Sequence, residues 1–306
     1  MFLGAIPPQM QQVVSETAAE WTPTNRDLYV GCSGNLTVER LLASQGWRSH
    51  SCDVTLYSCA LGAYFSGMPV WMQPNELCHE KYPWVAEHWT DEPSRQTALV
   101  MLMSSLMQQG ASKNRHSRRM AEAYRDQFPA MLAKTEAKLQ AAHEAVKLAS
   151  FAAEDVFSWI ERVPADAPMI SFPPFYAGGY ETMFTNLANL FEWDEPAYSI
   201  VDETNIEDLY GKIADRREYM LCTNRPVDWL EDRLRSTIKT SPRSARIFIY
   251  SSGETPRLVV PAWKRAEVDI PTWPVDEEIT GDETMTMLRI PLPVFRSVRD
   301  EYMTGL

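Results

Sequence analysis

With 306 residues, 45% of them hydrophobic and 11% aromatic, the chain can bury a sizeable core, which excludes disorder as its default state. A net charge of −12 argues against a uniformly basic nucleic-acid binder. The opening MFLGAIPPQM lacks the basic and apolar regions of a signal peptide, and no segment nears the ~20 apolar residues of a membrane span, so a soluble, intracellular protein is expected.

Residues 9–20 read as a short helix closed by Trp21-Thr22-Pro23-Thr24. Asp27-Leu28-Tyr29-Val30 is a compact strand-like run that ends at the turn Gly31-Cys32-Ser33-Gly34-Asn35. A helix follows over 37–45, with Val38, Leu41 and Leu42 at helical spacing and Gly46 as its stop. Residues 50–54 predict a second strand carrying Asp53, and residues 56–65 a buried helix that ends near Gly67. The middle of the chain is helical. Residues 95–109 are rich in Leu and Met, and from Ser117 apolar residues recur at Met120, Tyr124, Phe128, Leu132, Leu139, Val146 and Ala149. Pro129 interrupts that period and predicts a kink or two abutting helices near Gln127. Residues 168–172 resume the strand pattern and run into Pro173-Pro174, with a helix expected over 180–191. Residues 245–251 and 258–261 read as a late hairpin, and 293–303 as a terminal helix.

Strand, glycine turn, helix and strand in alternation predict an α/β fold whose mostly parallel sheet is covered on both faces. The expected organisation is an N-terminal helical extension (1–24), the first half of a cofactor-binding core (25–111), a helical insertion (112–165), and the second half of the core with a C-terminal extension (166–306).

Val30-Gly31-Cys32-Ser33-Gly34-Asn35 is the first segment with chemistry in it. Glycines let the backbone turn tightly and approach a ligand, and the helix that follows offers unpaired N–H groups to an anion. Val30, Gly31, Ser33, Gly34 and Asn35 are therefore candidate cofactor contacts. Asp53 lies about 20 residues further on, at the end of the next strand, where an acid accepts bonds from ribose hydroxyls. A dinucleotide enzyme would more often show G-x-G-x-x-G. Here the spacing is shorter and the third glycine is missing, so an adenosyl-amino-acid ligand such as S-adenosylmethionine suits the turn better.

The second segment is Ser171-Phe172-Pro173-Pro174-Phe175-Tyr176-Ala177-Gly178-Gly179-Tyr180-Glu181. Two prolines cannot continue a central ladder, so the chain leaves the sheet at the edge where open α/β sheets hold their ligands. The aromatics and glycines there make a stacking-competent rim.

Charge is uneven along the chain. Residues 112–150 carry eight Lys/Arg against four Asp/Glu, residues 225–246 carry six against three, and the remainder holds −19. Arg118, Arg119, Arg233, Arg235, Lys239 and Arg243 are candidate phosphate contacts, although solvated helix faces account for such runs equally well. Five cysteines without C-x-x-C pairing read as structural thiols, and no metal site is expected. The five histidines show no order suited to a nucleophilic triad. Glu154-Asp155 and Glu207-Asp208 read as ordinary helix-surface acids. The aromatics from Trp71 to Trp89 read as a packed loop, with base stacking as the alternative.

Taken together, Val30-Gly31-Cys32-Ser33-Gly34-Asn35, Cys52-Asp53-Val54-Thr55-Leu56-Tyr57-Ser58 and the Phe172-to-Glu181 stretch resemble amino-directed DNA methyltransferases. More closely, they resemble bacteriophage proteins described as antirestriction adenine methyltransferases. The likeness runs from about Asp27 to Asp194. It implies a Rossmann-like, S-adenosylmethionine-dependent methyltransferase core with a helical insertion, acting on DNA in the host cytoplasm to protect it from restriction. It also implies that Phe172-Pro173-Pro174-Phe175 stands where the family has D-P-P-Y. There an acid and a proline carbonyl accept the exocyclic amine of an extruded base and an aromatic ring stacks on it.

Phe172 cannot accept a hydrogen bond. Ser171, Glu181 or the Pro173 carbonyl are the candidates to replace the missing acceptor, with Pro174, Phe175 and Tyr176 completing the pocket. Two further readings follow from Phe172. One is an enzyme making a different base modification. The other is a catalytically silent protein that binds DNA or another DNA-modification protein.

Overall fold

Helix α1 (Pro8–Glu20) opens the chain in a computed structural model that describes residues 6–22, 25–110, 115–143, 145–146, 148–173, 180–239, 246–252 and 289–302. Pro8 suits its first turn, where the missing N–H has no intrahelical partner. Next come β1 (Asp27–Gly31), α2 (Thr37–Ala43), β2 (Arg48–Asp53) and α3 (Leu56–Ser66). The Thr55 side chain caps α3 by accepting from the Ser58 amide, and Gly67 stops it at a φ of +69°. A short strand β3 (Met72–Pro74) is followed by α4 (Glu76–Lys81), α5 (Pro83–Ala86) and α6 (Pro93–Gly110). Helices α7 (Arg115–Asp126) and α8 (Phe128–His143) abut at Gln127, as the Pro129 ring requires.

The chain then forms β4 (Leu148–Ala153), α9 (Val156–Ile160), β5 (Met169–Ser171), α10 (Tyr180–Ala188) and β6 (Phe191–Trp193). Helix α11 (Ile206–Ala214), β7 (Tyr219–Thr223), a 3-10 turn (Asp228–Arg233), β8 (Leu234–Ile238) and β9 (Ile247–Ser251) complete the unit Met1–Leu258. A second unit, Val259–Leu306, contains α12 (Leu292–Tyr302).

Seven strands form one sheet in the order β4-β2-β1-β5-β7-β9-β8. The pairs β2–β4, β1–β2, β1–β5 and β5–β7 are parallel, whereas β9 runs antiparallel to both β7 and β8. The chain winds outward from β1 to β4, returns to β5 and winds outward again. The switch point therefore lies between β1 and β5, where ligands of doubly wound sheets bind. Gly31 is level with both Cys52 and Ser171, so the carboxyl ends of β1, β2 and β5 are aligned at one edge.

Both faces are covered. Leu56, Leu61, Leu99, Met103, Leu132, Leu139 and Phe151 belong to one core cluster, and Trp159, Met169, Leu209, Ile213, Leu221 and Tyr250 to another. Every residue of β7 is buried, which accounts for its continuous apolar run, YMLCT.

Three expectations change. Strand β4 falls inside the stretch 112–165 expected to be helical, because parallel pairing with β2 overrides the alanine-rich sequence LASFAA. Residues 189–191, expected to finish α10, instead lead into β6, which pairs with β3 as a separate two-stranded ribbon. The hairpin partner of β9 is β8, and residues 258–261 lie outside the described residues.

Candidate functional site

A cavity of about 540 Å³ opens at the switch point. Cys32 reaches it from the end of β1, Asp53 from β2, Glu154, Asp155 and Val156 from the end of β4, and Phe172 from the end of β5. Phe184 and Thr185 of α10 form a further wall. The β3–β6 ribbon and residues 195–201 enclose the rest. A volume of this size suits a cofactor-sized ligand.

The turn after β1 is wound tightly. Cys32, Gly34 and Leu36 all have positive φ, at 58°, 57° and 57°. Only the glycine adopts this without the cost of roughly 1–2 kcal/mol that a side chain brings. The turn's donors point inward. The Ser33 amide donates to the Cys52 carbonyl (3.1 Å), the Gly34 amide to Asp53 Oδ2 (2.9 Å) and the Leu36 amide to the Ser33 carbonyl (3.2 Å). Asn35 Oδ1 accepts from both the amide and the hydroxyl of Thr37, the first residue of α2.

Two of the N–H groups expected to meet a ligand, those of Gly34 and Thr37, are thus taken by the protein's own Asp53 and Asn35. Gly31 likewise serves packing. A Cβ there would stand 3.1 Å from Met169 and from Ser171 and 3.2 Å from Val156. Val30 is wholly buried in β1. Of the turn, Cys32 is what lines the cavity, a residue read from sequence as merely structural.

Asp53 is 8% exposed and holds the edge together. Its Oδ1 accepts from the amides of Val54 (2.9 Å) and Thr55 (3.0 Å) and from the Thr55 hydroxyl (3.1 Å). One carboxylate thus joins the turns after β1 and β2, on the cavity wall.

At the end of β5, Ser171 is fully buried and its hydroxyl donates to the Gly31 carbonyl at 3.3 Å. This corrects its candidacy as the missing acceptor, since it faces β1 rather than the cavity. Phe172 does line the cavity, and Pro173 is buried beside it. Pro174, Phe175 and Tyr176 lie outside the described residues, as does the side chain of Glu181 on α10.

Glu154 and Asp155, taken for surface acids, stand on the cavity wall. Asp155 caps α9 by accepting from the Phe157 amide, and its other oxygen accepts from the Ser199 amide at 2.8 Å. Of the aromatics between 71 and 89, Tyr82, Trp84 and Trp89 pack on the core, whereas Trp71 is 51% exposed on the cavity.

Burial pushes the Cys32 thiol far above its usual range, and the Asp53 and Asp155 carboxylates add to this. It stays protonated and is a poor nucleophile. Glu39, on α2 beside β2, is fully buried. Its Oε1 accepts the Ser51 hydroxyl at 2.8 Å, while Oε2 has no hydrogen-bond partner among the described residues. Burial pushes this carboxyl from the ordinary 4.5 up to about 7, against the pull of its backbone and Ser51 hydrogen bonds. Between those values the folded protein holds a proton that the unfolded chain has lost, so stability falls as pH rises through the window. Relative to the parent protein, Glu39→Gln is expected to gain roughly 2–3 kcal/mol in urea melts between pH 5 and pH 8. A difference independent of pH would contradict this assignment.

The basic candidates divide. Arg119, Arg233 and Lys239 are exposed. Arg235 is corrected: it is 3% exposed and its guanidinium pairs with Glu20 of α1, so it braces β8 and is not open to a phosphate. Arg243 and the side chain of Arg118 lie outside the described residues. Among the described residues no group of His, Cys, Asp and Glu could hold a metal ion, and no helix is long and apolar enough to cross a membrane.

A mostly parallel sheet, doubly wound about a cavity at its switch point, belongs to the Rossmann-like methyltransferase class. The chain is a member of the family described as Phage DNA Adenine Methylase-like domain 1, which matches residues 2–273. No curated protein matches it.

Proposed function

We propose that this protein is an S-adenosylmethionine-dependent DNA methyltransferase directed at the exocyclic amine of adenine, and that it protects phage DNA from restriction in the host cytoplasm. The observation that carries the cofactor assignment is the switch-point cavity with Asp53 at the end of β2. The residues fit the group. Asp53 Oδ2 accepts from the Gly34 amide and has a lone pair left for a ribose hydroxyl, Val54 and Val156 offer apolar contact to an adenine ring, and the acidic wall suits a cation. When bound, the cofactor supplies an electrophilic methyl group. The protein's own part is to hold the amine in line with it and to exclude water. Pro173, Pro174, Phe175 and Tyr176 are assigned to the base pocket on resemblance, and Arg119, Arg233 and Lys239 to the DNA backbone.

Phe172 favours a second reading, in which the fold is kept and catalysis is lost, leaving a partner that binds DNA or another modification protein. Titration calorimetry with S-adenosylmethionine and with its demethylated product separates the two. Saturable binding of both supports the enzyme, and binding of neither overturns it.

A further inference from the structure

Resting on that reading, we infer that the acceptor for the exocyclic amine has moved from the end of β5 to the segment 194–201, with Glu195 accepting the amine of the target base beside the rings of Trp71 and Tyr198. Among the described side chains the end of β5 offers the cavity no acceptor, since Phe172 has none and Ser171 is turned away. An aromatic amine still needs an acceptor for its N–H and a flat face for its ring.

The cavity's other acids hold protein partners, and Asp53 is besides assigned to the cofactor. Asp53 holds the turns after β1 and β2. Glu154 pairs with Arg162. Asp155 holds the Phe157 and Ser199 amides, and Glu192 accepts from Gln73 at 2.9 Å. Asn75 is also engaged, capping α4 and donating to the Asn189 carbonyl. Glu195 lines the cavity, and its carboxylate has no hydrogen-bond or ion-pair partner among the described residues. Glu195 is exposed and, unlike Glu192, holds no side-chain partner among the described residues, and a carboxylate accepts from an amine about twice as strongly as a neutral oxygen.

The segment that carries it is held in place at both ends. The Asp194 amide donates to the Trp71 carbonyl at 3.0 Å and Asp194 Oδ2 accepts from the Trp71 amide, while the Ser199 amide is bound to Asp155. Trp71 and Tyr198, 51% and 44% exposed on the same cavity, supply the rings. Aromatic rings exposed on a cavity wall offer flat faces on which a base can stack.

The test compares binding of the full chain to a thymidine oligonucleotide carrying one adenine with binding to the same strand carrying purine, which lacks the amine. The parent protein is expected to prefer adenine by about tenfold or more, the loss typical of one charge-assisted hydrogen bond. Glu195→Gln should lose that preference and Glu192→Gln should keep it. Trp71→Ala and Tyr198→Ala should weaken both strands alike. A preference retained in Glu195→Gln, absent from the parent protein, or lost in Asn189→Ala instead would overturn the inference. Cofactor titration of the same variants isolates the failure: if the parent protein binds no cofactor, the methyltransferase reading falls while the adenine preference still stands or falls by itself.

Discussion

Asp53→Ala is expected to reduce cofactor affinity at least ~100-fold and to lower stability by about 3 kcal/mol. The two effects have one origin. The carboxylate stands on the cavity wall and also accepts four hydrogen bonds, from the Gly34, Val54 and Thr55 amides and the Thr55 hydroxyl. Alanine leaves those donors without an acceptor at a nearly buried position and releases the Gly34 turn, whose left-handed residues depend on being held. Asp53→Asn separates the roles. Its amide oxygen can keep the Val54 and Thr55 bonds, but its NH₂ group meets the Gly34 amide donor to donor. The asparagine variant should therefore retain most of the stability and still lose cofactor affinity. Calorimetric titration and urea unfolding on the two variants measure both effects, and wild-type affinity in Asp53→Asn would remove Asp53 from the cofactor site.

A loss of stability with no effect on the cavity is expected at Gly62. On an exposed helix, glycine to alanine stabilises by about 1 kcal/mol. Here a Cβ would lie 2.2 Å from the ring of Phe151, where α3 packs on β4, and that ring is only 4% exposed within the core. The ring must move against close-packed neighbours, which typically costs 1–3 kcal/mol, enough to outweigh the propensity gain and destabilise by ~1 kcal/mol. Phe151→Leu in the Gly62→Ala background should recover part of the loss. Stabilisation by Gly62→Ala would show that α3 and β4 are not in contact as described.

What could be read from the sequence was local. Leu28, Val30, Leu42, Gly46 and Gly67 announce strand, helix and stop within a few residues of one another, and Pro129 announces the break at Gln127 by its own covalent geometry. The rest depends on pairing across the chain. Leu148–Ala153 is a strand because β2 lies beside it, and the three-residue strands β3 and β6 are too short for alternation to show. Arg235 looks like a phosphate ligand until Glu20, 215 residues away, is found against it. Glu154 and Asp155 look like surface acids until β4 takes its place beside β2 and carries them to the cavity. The glycine turn was visible but its chemistry was not. Asp53 and Asn35 occupy two of the donors that a ligand was expected to use, the Gly34 and Thr37 amides, and Cys32 lines the cavity.

Nucleoside mass spectrometry on DNA from cells expressing the protein, beside cells expressing Asp53→Ala, tests the central claim most directly. N6-methyladenine present with the parent protein and absent with the variant is the expected result. A different mass shift would keep the cavity and replace its chemistry, and DNA unmodified in both samples would contradict the methyltransferase assignment.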